Sequence, residues 1–352
     1  MGSVNYCWML SLFLFILLLV AQSAAEQVTP RHENTNLIPG PELKELIDTN
    51  NLTTPKSFLD SYSALQTKIL SDTQYSKAAP GTGWQEISMP VVITAPGKYR
   101  IIHDYTATGE EIGVAIQSSD VYLDGNGQTF RGSPDHESYG VGITHEQTIS
   151  NITITNFSTR ECTGGIVFEH VSGIIISNTH HSKITGGIAG NEVQNLEISD
   201  NTISDYRTPD QAGSTFGIAI MEGTGIQIDG NMIANLSPDP EQTDSPAISL
   251  FSSDDVSITR NEIIGPISGG IMSNAGFGAG KISIDISDNQ ITNTGLYGIY
   301  IDNGQGKIAN NTVCEGTVGI ELHMDDSSII HNTIHGNLQR GLSFQGKNLT
   351  LS

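Results

Sequence analysis

Cysteine is nearly missing from this sequence. Of three among 352 residues, Cys7 lies in the amino-terminal segment read below as a signal, which leaves Cys162 and Cys314. No disulfide framework can hold such a fold. Basic residues are scarce too, 16 Lys and Arg against 38 Asp and Glu, for a formal charge of −22. Phosphate backbones are bound by clustered cations, so the composition excludes nucleic acid as a partner. The carboxylate surplus suits a secreted, soluble chain and can collect divalent cations, Ca2+ among them. Long apolar runs are confined to residues 9–20, MLSLFLFILLLV, followed by AQSAA. No Lys or Arg precedes the run, yet it reads as a secretory signal over residues 1–25, the alternative being an uncleaved membrane anchor. Sequons at Asn51, Asn151, Asn156, Asn235, Asn310 and Asn348 fit a glycosylated surface protein, although a repeat rich in Asn and Thr makes sequons by chance.

Helical patterning is confined to the segment 26–84. Residues 26–40 are polar, and Pro41 to Asp48 and Pro55 to Ser71 read as helices. In the second, Thr54 caps and Pro55 takes the first helical position. Phe58, Leu59, Tyr62, Leu65, Ile69 and Leu70 then share one stripe. APGTGW, residues 79–84, is a linker. These helices have too small a core to stand alone, so they either cap the rest or form a small interaction module.

Residues 85–352 repeat. Pairs of a small residue and Ile or Val begin at Gly113, Gly140, Gly165, Gly187, Gly217, Ala247, Gly270, Gly298 and Gly319, with Gly341-Leu342 last; the period is 21 to 30 residues. Asn recurs in phase at 126, 156, 178, 201, 231, 261, 289, 311 and 332. A fixed period of this size predicts a solenoid, and short alternating strands without a helical stripe make it an all-β parallel β-helix. Alternate residues point into the tube, so GIYI buries Ile299 and Ile301 and exposes Tyr300. The repeated Asn is expected at a left-handed corner with its amide laddered to adjacent rungs, and the repeated Gly at a tight corner. The chain ends within a rung, GLSFQGKNLTLS, which presents an open strand edge for self-association or another partner.

Residues 91–132, with PGKY and then SDVYLDGNG, resemble the opening rung of archaeal and bacterial surface β-helix proteins. These are grouped with carbohydrate-binding proteins and sugar hydrolases, including the NosD-like copper-maturation proteins. The resemblance covers about residues 87–352 and implies a right-handed, pectin-lyase-like β-helix. It is specific for fold and weak for activity. The copper-maturation role fits poorly, because no His, Met and Cys cluster has soft-ligand spacing. The chain is also similar to polygalacturonases, but it lacks their Gly-His-Gly and Arg-Ile-Lys elements, and SSDD at 252–255 is a corner. SPDHESY, residues 133–139, is a scrambled echo of the mannuronan epimerase motif.

Sites are sought where rungs depart from the common skeleton. The fifth place after each Gly reads Gln117, Thr144, Glu169, Asn191, Met221, Phe251, Asn274, Asp302, His323 and Gln345. The sixth reads His145, His170, Glu192 and Glu222 over four successive rungs. Glu192 over Glu222 asks for a cation or a raised pKa, whereas the bland alternative is a solvated corner. Three insertions, at 131–139, 205–215 and 237–246, fall at one corner and are expected to build a wall offering His136, Tyr139, Tyr206 and Arg207. Arg160, Glu161, His180, His181 and Lys183 join from shorter corners. Arg160, Lys183 and Arg207, gathered in a chain with few cations, can hold the carboxylates of an acidic sugar polymer, or else pair with neighbouring Asp and Glu. A further patch combines Tyr300, Asp302, Glu321 and His323.

Two classes of function compete. One is an extracellular lyase or epimerase acting on acidic polysaccharide. Arg160 or Arg207 would neutralise a uronate carboxylate, His145, His170 or Tyr206 would serve as base or acid, and Glu192 with Glu222 would hold a cation. Glycoside hydrolysis would instead use a carboxyl pair such as Glu169 and Glu192. The other class is a non-catalytic surface adhesin or cell-envelope protein. An accessory protein in metal-cofactor maturation rests on the resemblance alone.

Overall fold

The computed structural model describes residues 59–60, 62–65, 75–78, 81, 83–133, 135–143, 145, 147–206, 215–236, 246–275 and 280–352. The expected signal and the expected helix at 41–48 lie outside them. Every recorded strand pairing is parallel, and each strand pairs with the equivalent strand one rung away. Three flat faces result. Face 1 carries the Gly-Ile segments, such as residues 164–169 and 186–191; face 2 carries residues 171–177 and 193–199; face 3 carries His180–Ile184 and Thr202–Tyr206. β-Structure begins at Ser76–Ala78, ahead of the boundary expected from periodicity. That strand is only three residues long and is soon followed by Pro80 and Gly81, too short to show alternation.

The tube is filled by rows of apolar side chains in register. Ile166, Ile188, Ile218, Ile248, Ile271, Ile299 and Ile320 stack on face 1, and Ile154, Ile176, Ile198, Ile228, Ile258, Ile286 and Ile308 on face 2. Their burial supplies the main driving force, of roughly 2 kcal/mol for each such side chain. The repeated Gly has a different cause from the one expected. A Cβ on Gly187 would stand 2.4 Å from the Gly217 carbonyl oxygen of the next rung, so close approach of backbones, rather than a left-handed turn, requires it.

The Asn series also divides in two. Asn126, Asn156 and Asn178 do adopt left-handed backbone, with φ of 54°, 54° and 53°. From Asn201 onward the left-handed position belongs to the preceding residue, Asp200, Gly230, Arg260, Asp288, Asn310 and His331 in turn. The Asn side chains there turn inward and form a buried ladder. Asn201 Nδ2 donates to Asn231 Oδ1 at 2.9 Å, Asn231 to Asn261 at 2.9 Å, Asn261 to Asn289 at 3.0 Å, and the series continues through Asn311 to Asn332. Each backbone N–H donates to the same oxygen, so every buried polar group at this corner is satisfied.

The ladder runs on into an unusual core residue. His181 stands in the inward row of face 3 that Ile203, Ile233 and Ile263 fill on later rungs, and it is fully buried. Its place among the short corners in the sequence predicts an outer wall instead. Thr179 Oγ1 donates to Asn201 Oδ1 at 2.7 Å, so it must accept from His181 Nε2 at 2.9 Å. Nδ1 is then the acceptor for Thr159 Oγ1 at 2.7 Å, and one neutral tautomer is fixed. Burial, aided by neighbouring His180, pushes the imidazole down to about 3.

Two outcomes are expected. Asn261→Ala leaves the buried Asn231 N–H without an acceptor and should cost about 3 kcal/mol, against about 1 kcal/mol for Asn178→Ala at its left-handed corner, both read from urea unfolding. Unfolded His181 binds a proton near its ordinary pKa of 6.5, and the folded residue does not until about pH 3. Its contribution is therefore whole above 6.5 and is lost by up to about 1.4 kcal/mol per unit as pH falls. His181→Leu should remove this part of the acid sensitivity; equal pH slopes in both proteins would refute the assignment.

Candidate functional site: two corners and a partly covered face

The register reproduces the alignment of the fifth place from Glu169 through Asn191, Met221, Phe251, Asn274, Asp302 and His323 to Gln345. The candidate residues nevertheless divide between opposite edges of face 1. At the edge toward face 2, His170, Glu192 and Glu222 hold left-handed backbone, φ 55°, 52° and 51°. At the edge toward face 3 stand Arg160, Lys183 and Tyr206. Residues 164–169 separate the edges by about 16 Å of strand. A carboxylate held by Arg160 is thus about a face width from His170. Arg207, with the loops 207–214 and 237–245, lies outside the described residues.

The cationic edge is built on three strands. Arg131 and Arg160 are register partners on adjacent rungs of face 3, and Ser182 follows on the next. The left-handed corners at Glu161 and Lys183 then turn their side chains toward one another. Arg131 Nη2 meets Glu161 Oε2 at 2.6 Å, Lys183 Nζ meets Oε1 at 3.5 Å, and Arg160 Nε meets Oε1 at 3.6 Å. Burial alone would raise the Glu161 pKa, but the Arg131 hydrogen bond and the three cations outweigh it and hold the carboxyl below its usual range. Three cations share one carboxylate, leaving two positive charges in excess on half-exposed side chains. Tyr206, half-buried, follows Asp205 one rung beyond Lys183. His136 lies exposed in the 131–139 insertion at the same edge.

The other edge is occupied by internal pairs. His170 Nε2 lies 3.0 Å from Glu192 Oε2, so Glu192 has a partner other than Glu222. His145 Nδ1 accepts the Gln147 N–H at 3.1 Å. Among the described residues, no group of three or more His, Cys, Asp or Glu gathers to hold a metal ion.

Between the edges, face 1 is covered along its amino-terminal half. The outward row reads Ala115, Gly142, Val167, Ala189 and Ala219. Helical residues Leu59, Tyr62 and Leu65 pack on it with Tyr75, Ile112, Tyr139 and Phe216 in one apolar cluster. Tyr62 meets Tyr139 edge-on at 5.3 Å, and a Cβ at Gly142 would stand 2.5 Å from the Tyr62 hydroxyl. Tyr139 is consequently buried and offers no surface to a ligand. Glu169 accepts from Ser63 Oγ at 3.1 Å at the rim of the cluster. Burial pushes its pKa up, while Ser63 and His170 pull the other way. Small side chains in this row were visible in the sequence, but nothing local shows which segment covers them.

Stacked parallel strands with a continuous inner core define a β-helix solenoid. The model of the right-handed β-helix region matches residues 102–263 and 139–313, which span more than half of the chain. The chain belongs to this right-handed β-helix family. No curated protein sequence matches it. Among solved structures it is similar to a mutant of the periplasmic alginate epimerase AlgG, at 14% identity and TM-score 0.51 over 78% of this chain and 79% of that one. It is also similar to the Dettilon tailspike protein, at 14% identity and TM-score 0.52 over 74% of this chain and 61% of that one. An exopolygalacturonase from Thermotoga maritima aligns over 96% of each chain at 11% identity and TM-score 0.42. No described helix is long and apolar enough to cross a membrane.

The covered face has a direct readout. Ser63→Ala removes a hydrogen bond that favours ionised Glu169, so the Glu169 pKa should rise further, followed by carbon NMR of its carboxyl. An unchanged titration would mean that the helical residues do not rest on face 1 in solution.

Proposed function

We propose that this is a secreted or cell-surface β-helix protein that engages acidic extracellular polysaccharide along the corner between faces 3 and 1. The carrying observation is the group Arg131, Arg160 and Lys183 around Glu161 in a chain of net charge −22. Stacked rungs repeat at about 4.8 Å, so cations on successive rungs present a linear array suited to a polymer of repeating anions. A uronate carboxylate can exchange for Glu161 as partner to any of the three. A structure it is similar to is an alginate epimerase by name, and an acidic polymer is the corresponding ligand class. Secretion rests on the apolar run of residues 9–20 and on the sequons.

Lyase or epimerase chemistry at this corner would use Arg160 or Lys183 against the carboxylate and Tyr206 as the proton-transfer group. His145 and His170 stand at the far edge, so Tyr206 is the best placed of the three candidates. The second reading, a binding protein without catalysis, is favoured by the internal engagement of His170 with Glu192 and of Glu169 with Ser63.

The test is titration of the purified protein with polygalacturonate and alginate, beside dextran as a neutral control, with proton NMR of each mixture. Binding to a polyuronate should weaken as salt rises and should fall about tenfold in Arg160→Ala combined with Lys183→Ala. Unsaturated or epimerised signals that vanish in Tyr206→Phe would make it an enzyme; binding with unchanged spectra would make it a surface binding protein. Equal binding of dextran and polyuronate by the native chain and the double variant would sink the proposal.

A further inference from the structure

The carboxyl-terminal half of face 1 differs in kind from the covered half. The outward row of Ala and Gly continues as Ser249, Met272, Tyr300 and Glu321, none of which belongs to the apolar cluster beneath the helical residues. The coil does not require large polar or aromatic groups here, since the same row is filled by Ala elsewhere. Tyr297 and Tyr300 stand with ring centroids 5.1 Å apart and tilted by 44°. Tyr300 meets the His323 ring edge-on at 6.0 Å. His323 turns both nitrogens to carboxylates, Nδ1 to Asp302 at 3.3 Å and Nε2 to Glu321 at 3.8 Å. The Asp302 hydrogen bond and both negative charges favour its protonated form against the opposing effect of burial.

We propose that Tyr297, Tyr300, Asp302, Glu321 and His323 form a second carbohydrate site, selective for uncharged, hydroxyl-rich sugar residues. Two half-buried tyrosine rings supply an apolar surface for the C–H face of a pyranose. Asp302 and Glu321 accept hydrogen bonds from hydroxyls, and His323 fixes their orientation by bridging them. Two carboxylates outnumber the single imidazole, so the patch is negative in either protonation state of His323; it repels uronate carboxylates and favours neutral sugar. Half-buried Met272, the register partner of Tyr300 on the preceding rung, extends its apolar floor. The site uses none of the residues of the cationic corner, and either assignment can fail without the other.

The experiment follows the His323 imidazole by proton–carbon NMR in the full protein. The probes are cellohexaose, xylohexaose, mannohexaose and laminarihexaose, with polygalacturonate as the charged control. At least one neutral hexasaccharide should shift the His323 signal. Its affinity should fall about tenfold in Tyr300→Ala, recover most of the native value in Tyr300→Phe, and be unaffected by Arg160→Ala. Glu321→Gln, which keeps the side-chain shape, should weaken the same probe and serves as the second variant if Tyr300→Ala does not fold. The proposal is overturned if no neutral probe moves the signal at millimolar concentration, if Tyr300→Ala and Glu321→Gln bind as the native chain does, or if polygalacturonate is the preferred probe.

Discussion

Each rung of this molecule must meet the next at strand spacing, and the remaining features follow from that constraint. Parallel ladders bring equivalent residues of successive rungs into register, so a side chain is judged by its copies above and below it. Apolar copies stack into the Ile rows of the core. Carboxamide copies become the buried ladder from Asn201 to Asn332, in which each side chain serves as acceptor for one neighbour and donor to the other. Gly187 is confined to hydrogen at Cα because the next rung's carbonyl lies where a Cβ would be. The ladder needs a terminus, and the Thr179–His181–Thr159 series provides one within the core.

The same stacking separates functional surfaces. Residues that follow one another closely in sequence, such as Arg160 and His170, are carried to opposite edges of a flat face. Residues 22 positions apart, such as Glu161 and Lys183, become neighbours across one rung. A charge constellation in a solenoid is therefore read along the stack rather than along the chain. In an acidic protein this matters energetically, because a cation array on three rungs produces a local field opposite to the global one. The carboxyl-terminal half of face 1 presents the reverse polarity together with aromatic rings. Two ligand preferences can thus coexist on one tube.

The helical residues add the only described departure from the coil on face 1. They bury a row of small outward side chains that would otherwise be open sheet. Tyr62 and Tyr139 anchor the contact, and Glu169 is drawn into its rim through Ser63. The available ligand surface is thereby moved to the edges and to the uncovered end of the face.

Much of the coil was legible in the sequence, because period, alternation and the small-Ile pairs are one-dimensional properties. They fixed the parallel β-helix, the inward Ile299 and Ile301, and the register of the fifth place from Glu169 to Gln345. The Asn phase was misread because a slip of one residue between Asn178 and Asn201 exchanges a left-handed corner for an inward ladder, and both positions carry the same residue type. His181 was misplaced for a similar reason: its row is apolar on later rungs, and only Thr159, Thr179 and Asn201 around it make a neutral imidazole stable in the core. Arg131 was passed over as a cation because its partner Glu161 lies 30 residues away. Within a strand whose bounds are fixed, alternation decides which residues point in or out. Which outward residues meet, which are covered and which remain open depends on the positions of corners and on a segment packed from outside the repeat, and only the tertiary structure decides those.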